Sequence, residues 1–220
     1  MRASDNPVVE RHYAAQKTIA RRTARDVTAL GGTTRRDLAA AALIVHDHSQ
    51  AAVAVAVDYY ADLRDQAGIG GRFNQPVTTT RTADQALAYL TASSVDVPEA
   101  AALALVAEVS DFLVAEAGRG QVIAAAKADT KATRWARVAS TTACAFCTML
   151  ATRGAAYRTE ETGSFEAHRG CHCTVQPVFG PARSYEPPAH IRQAQTLWSE
   201  STDGVADKAN AFRRAFERGT

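Results

Sequence analysis

The chain has 220 residues, 46% of them hydrophobic but only 7% aromatic, with a formal charge of +2 and a sequence pI near 8.4. That length suits one ordinary domain, or one with a helical extension, and leaves little room for two full domains. Basic residues interleaved with acidic ones exclude a strongly electrostatic nucleic-acid binder, and no apolar run reaches the roughly 20 residues needed to span a bilayer.

The polar start Met1-Arg2-Ala3-Ser4-Asp5 lacks the apolar stretch of a secretory signal. The expectation is a protein made in a cytoplasm with no membrane attachment, where clustered cysteines stay reduced and metal binding is a better default than disulfides. Alanine supplies much of the apolar content. Helices built that way have thin cores and need neighbours, from their own chain or another subunit.

Asn6-Pro7 reads as a helix start, Asn as cap and Pro at the first helical position, with the pattern running to Leu30 before Gly31-Gly32 stops it. Its apolar stripe is narrow: Val9, Tyr13, Ile19 and Val27. The basic run Arg21, Arg22, Arg25, Arg35 and Arg36 reads as a solvated helix face, so DNA contact is expected to be weak at most. Thr33 or Thr34 caps a second helix to about Gln66, with Leu38, Ala41, Ala42, Val45, Ser49, Ala52, Val53, Ala56 and Tyr60 at spacings of three and four. The two form a helical hairpin. Residues 68–76 read as a loop and residues 77–80 as a short extended piece. A short helix over residues 84–93 follows, then one opened by Val97-Pro98-Glu99 that carries Leu103, Val106, Val109, Phe112 and Leu113. Gly118 and Gly120 are expected to end or kink it before a continuation from Val122 to Asp129.

Composition changes near Thr130. All four cysteines, Trp135 and short apolar pieces such as Ala155-Ala156-Tyr157 and Thr174-Val175-Gln176-Pro177-Val178-Phe179 lie between there and Pro181, which predicts a small α+β module. After Pro187-Pro188 helix resumes, with Ile191, Ala194, Leu197 and Trp198 at helical spacing, then a last helix with Val205, Ala209, Phe212 and Phe216 after Gly204. The fold class is therefore mainly α: a helical hairpin or bundle over residues 1–130, which docks partners, and a Cys/His module with C-terminal helices over residues 131–220.

The most informative residues are Cys144-Ala145-Phe146-Cys147 and His168-Arg169-Gly170-Cys171-His172-Cys173. A Cys-x-x-Cys turn puts two thiolates on one metal, and a second group about twenty residues later completes a tetrahedral site. Six ligands compete for four positions. The favoured set is Cys144 and Cys147 with two of His168, Cys171 and Cys173, holding a structural zinc; disulfides formed after lysis and plain buried thiols are the competing readings. A Cys-His nucleophile and base is the enzymatic alternative, but nothing singles out one cysteine, no βαβ pattern supports a thioredoxin-like role, and no paired acidic site supports a nuclease. His46 and His48 read as surface or interface residues, Trp135 and Trp198 as packing anchors, and Arg153 before Gly154 as a turn residue.

Trp135-Ala136-Arg137, Cys144 to Ala151, Arg153-Gly154-Ala155-Ala156-Tyr157 and His168 to Cys173 through Pro177 together resemble the Mu F-like minor head proteins of tailed phages, in the form carried by phages of actinobacteria. The resemblance covers roughly residues 130–180. It implies a minor capsid protein present in few copies in the virion, made in the host cytoplasm and associated with the portal protein, the major capsid protein, or both. It also implies a role in head assembly or in DNA packaging and ejection, within a multi-subunit assembly. Some relatives carry a protease or toxin domain and some are described as capsid maturation proteases, so a peptidase is the alternative. No catalytic residues carry over, Ser140 with His168 or His172 forms no recognisable triad, and the chain is expected to hold no fused enzyme.

Overall fold

A computed structural model describes residues 3–158 and 167–219; 63% of the described residues are helical, and among them are seven α-helices and one two-stranded sheet. The first two helices, α1 (Pro7–Thr28) and α2 (Arg35–Gln66), start where their caps predict. Asn6 Oδ1 accepts from Val8 N at 2.9 Å, and Thr34 and Asp37 form a capping box. A second capping box, Thr82 with Gln85, opens α3 (Ala83–Ser94), and Pro98 precedes α4 (Glu99–Ala128).

Against expectation, α4 runs unbroken through Gly118 and Gly120. Gly118 is there for close approach. A Cβ on it would lie 2.2 Å from Gln16 Oε1 of α1, and Gln16 Nε2 in turn donates to the Ala52 carbonyl of α2 at 2.7 Å. Residues 77–80 carry no regular secondary structure and join no described strand. Gln121 of α4 holds them, donating to the Pro76 carbonyl at 2.7 Å and accepting from Thr78 N at 2.8 Å.

One core cluster, built around Leu38, Val45, Ala52, Leu90, Val106 and Leu113, belongs to α1 to α4 alone. By length and composition α2 could cross a membrane, with a mean hydropathy of 1.3 over its most apolar stretch. In this fold its apolar residues pack against α1, α3 and α4.

After α4 the chain turns at Asp129 into β1 (Ala132–Val138), which pairs antiparallel with β2 (Thr174–Phe179), Val138 opposite Thr174 and Trp135 opposite Pro177. Proline in β2 leaves no partner wanting, because the Trp135 N–H donates to the Tyr157 carbonyl at 3.0 Å on the other side of β1 and the Trp135 carbonyl accepts from Tyr157 N. A second core cluster joins Val9, Tyr60 and Val122 to Trp135, Val138, Tyr157 and Val175, so apolar packing continues across residue 130. The remaining helices are α5 (Ala145–Ala151), α6 (Ala189–Thr202) and α7 (Lys208–Gly219); α7 packs Phe212 against Trp198 of α6, their ring centroids 5.6 Å apart. Val205, expected in the last helix, precedes it.

Candidate metal centre

From β1 the chain passes through buried Ala139 and Ser140 into a turn closed by Ala143 N donating to the Ser140 carbonyl at 3.0 Å. Cys144 then caps α5. It takes the position usually filled by Ser or Asp, its Sγ accepting from Cys147 N at 3.5 Å. One helical turn later Cys147 faces inward, 1% exposed. Gly154, with φ of +62°, lets the chain leave α5 in the left-handed conformation that ends helices, and its N–H donates to the Ala151 carbonyl.

The returning arm begins with a turn in which Cys171 N donates to the His168 carbonyl at 3.1 Å, through Gly170 with φ of +73°. Cys171 and Cys173 follow, each 4% exposed, just before β2. The structure thereby converges all five expected ligands into two overlapping groups, Cys144, Cys147 and His168, and Cys147, Cys171 and Cys173. Within each group the donor atoms lie within 4.8 Å of one another. Cys147 belongs to both. Its Sγ is 3.2 Å from Cys171 Sγ and 3.8 Å from His168 Nε2, which is 3.0 Å from Cys144 Sγ. Donors around a tetrahedral zinc with bonds of about 2.3 Å sit roughly 3.8 Å apart, so small adjustments would seat the ion. These Cys/His groups could hold a metal ion. All four cysteines are free thiols.

The sixth candidate, His172, is turned away: its Nε2 lies 3.0 Å from Asp111 Oδ1 of α4. Arg119, two turns along the same face of α4, donates to the Cys171 carbonyl at 3.2 Å and the Cys173 carbonyl at 3.5 Å. Asp111 and Arg119 therefore pin the returning arm to the bundle from one side. On the other side His190 of α6 lies 2.7 Å from the Ala139 carbonyl, while Ile191 packs against the cysteines. The sequence signal for the α4 pins was an acid and an arginine set among the apolar positions of one helix face.

His168 Nδ1 lies 2.7 Å from the Arg169 carbonyl, which fixes the proton on Nδ1 and turns the Nε2 lone pair toward the thiols. Metal-ligating histidines use this arrangement. The Arg169 carbonyl raises the His168 pKa against burial, with Cys144 adding to the rise. Burial opposes ionisation of Cys144, yet the backbone N–H of Cys147 and the His168 imidazole bring its pKa below the ordinary value. Among the inner three, hydrogen bonds from the Cys147 and Cys173 thiols pull Cys171 down. Cys147 is pushed up, by its hydrogen bonds to Cys171 and Cys173 and by burial. Three thiols packed this closely cannot all ionise alone; a dication removes that conflict.

A cleft of about 250 Å³ opens beside the cluster, between it and α1. Ser140 lines it, its Oγ 3.5 Å from Thr142 Oγ1.

The family model described as VG15 protein matches residues 4–201. The chain belongs to the VG15 protein family. The match takes in the helical bundle, the cysteine cluster and nearly all of α6, far beyond the stretch that carried the resemblance to minor head proteins. VG15 proteins are phage gene products, and membership marks the chain as virion-related and made in the host. No curated protein and no solved structure matches it.

Proposed function

We propose that this VG15 protein is a structural minor capsid protein of a tailed phage of the Mu F-like type, with one structural zinc in the Cys144, Cys147, His168, Cys171 and Cys173 cluster and no catalytic activity. It would sit in few copies in the head against the portal protein or the inner face of the major capsid protein. The observation that carries this reading is the burial of the donors: Cys147, Cys171 and Cys173 are almost fully enclosed, and α4 and α6 hold the arms that bear them. Cys144 and His168 lie exposed at the rim, but five donors for four positions suit a staple, whereas a catalytic zinc keeps one position open to water and substrate. The test compares phage heads assembled with the wild-type protein and with Cys147→Ser. Cys147 is common to both ligand groups, so its loss should lower zinc content and incorporation together.

One observation favours the peptidase reading. Cys144 is exposed, its pKa is lowered, and it lies 3.0 Å from His168, as a thiolate nucleophile lies beside its base. The conservative change Cys144→Ser separates the two. Head proteins that stay uncleaved in heads that still incorporate the variant would establish the peptidase; normal processing supports the structural role.

A further inference from the structure

We infer that the cysteine cluster is a redox-switched staple, in which a small-molecule disulfide such as oxidised glutathione enters at Cys144, joins Cys147 to Cys171 and displaces the metal. The inference rests on the zinc-bearing state proposed above and concerns the regulation of that same site. Its basis is the unequal placement of the thiols. Cys144 is exposed whereas Cys147, Cys171 and Cys173 are buried, so an oxidant in solution meets Cys144 first. Cys147 comes next in space: its Sγ lies within 4.8 Å of Cys144 Sγ and 3.2 Å from Cys171 Sγ. Cys147 therefore stands between the entry thiol and the returning arm.

The exchange runs as a relay. The Cys144 thiolate attacks one sulfur of the small disulfide, forming a mixed disulfide on Cys144 and expelling one small thiolate. The Cys147 thiolate attacks the Cys144 sulfur, forming a disulfide between the two and expelling the second small thiolate. The Cys171 thiolate then attacks the Cys147 sulfur, which joins Cys147 to Cys171 and returns Cys144 as a thiolate. Two electrons pass from Cys147 and Cys171 to the small disulfide, whose two thiolates take protons from water. Because Cys147 belongs to both ligand groups, its oxidation leaves neither complete, and zinc departs. The final pair is favoured by contact and by span: the Cys147 and Cys171 sulfurs already touch, across 24 positions of chain, and need only close to a bond of about 2.05 Å. A bond between Cys144 and Cys147 would close one helical turn and leave the two arms unjoined. Arg119 holds the Cys171 and Cys173 carbonyls rather than their sulfurs, so the returning arm stays docked in either state. A virion-related chain made in the host passes from a reducing cytoplasm to oxidising surroundings, where a disulfide persists and takes over the joining of the arms.

The experiment treats full-length, zinc-loaded protein with millimolar oxidised glutathione. It follows zinc release with a chromophoric chelator, counts free thiols, and maps linked peptides by mass spectrometry. Zinc release matched by the loss of two thiols, with Cys147 linked to Cys171, is the expected result. Cys144→Ser should slow both release and linkage at least tenfold. The same comparison in metal-stripped, reduced protein reads the rate of linkage whether or not that variant holds zinc. Linkage in Cys144→Ser at the wild-type rate overturns the relay. In the oxidised, zinc-free protein residues 167–173 should exchange amide hydrogens more slowly than in the reduced, zinc-free protein; equal exchange overturns the staple. Zinc retained with all four thiols intact, or linkage confined to Cys144 with Cys147 or to Cys171 with Cys173, overturns the inference and leaves the zinc reading standing. Wild-type protein that takes up no zinc overturns the zinc reading and with it the metal half of the switch, whereas the linked peptides still decide the disulfide.

Discussion

His12 faces inward from α1, stacked on the Tyr59 ring at 3.8 Å and 6° with its Nε2 3.1 Å from Thr174 Oγ1. Burial lowers its pKa from 6.5 to about 3. The folded state therefore refuses a proton that the unfolded chain accepts, so stability is full above pH 6.5 and falls as pH drops toward 3. Thermal unfolding of the wild type should weaken between pH 7 and 5, where carboxylates do not yet titrate, and His12→Gln should flatten that dependence. An identical slope in the variant would show that His12 does not carry it. A second buried group acts lower on the pH scale. Asp129 pairs with Arg64 and accepts from the Tyr60 hydroxyl at 3.1 Å and from Lys131 N at 2.9 Å. Burial opposes its charge, but these partners prevail and hold its pKa below 3.8, so its contribution is present at neutral pH and is lost on acidification below about that value. Arg64→Met leaves the carboxylate buried without its cation and should cost about 3–5 kcal/mol in denaturant unfolding at pH 7. A loss below ~1 kcal/mol would mean that Tyr60 and Lys131 suffice.

The two glycines of α4 differ, and the difference can be measured. Gly120 is exposed, with nothing within 4 Å of an added Cβ, so Gly120→Ala should stabilise by roughly 0.5–1 kcal/mol through helix propensity alone. Gly118→Ala has the same propensity gain but must displace Gln16 from its bond to Ala52; it should be neutral or destabilising, and should become stabilising by about 1 kcal/mol when combined with Gln16→Ala. Two glycines that respond alike would remove the close-packing account. Reading the sequence could not separate them, because a glycine marks a helix break and a helix contact with the same letter. The other helices were legible for definite reasons: Asn6, Thr34 and Thr82 are side-chain caps, and the period of three to four in α2 matches its buried face. The convergence of Cys144, Cys147, His168, Cys171 and Cys173 was legible from spacing alone. Arg119 and Asp111 were not, since their contacts with Cys171, Cys173 and His172 join residues more than fifty positions apart. Arg119→Met should leave the helices folded and weaken zinc binding roughly 10–100-fold in a chelator competition, as losses around metal ligands do. Unchanged affinity would make Arg119 a packing residue only.

At the scale of the whole molecule, the cluster at Leu38, Val45 and Leu113 needs nothing beyond α4, the cluster at Tyr60 and Trp135 joins both halves, and Cys147, Cys171, Cys173 and Ile191 form a third. Only the third would depend on the proposed metal. Removing zinc should accordingly raise hydrogen exchange first in α5, residues 167–173 and the start of α6, with α2 and the first half of α4 protected until global unfolding. Exchange that rises uniformly would mean that the staple supports the entire fold. The assembly role proposed above would draw on the same arrangement, since Leu43 of α2 is 57% exposed and could meet another head protein. All of this turns on whether the cysteine cluster is a metal centre. The most direct measurement is the metal content of reduced, monodisperse full-length protein, with Cys147→Ser prepared alongside. One zinc per chain, lost in that variant, is the predicted result; a folded wild-type protein that holds no metal after growth in zinc-replete medium would contradict it.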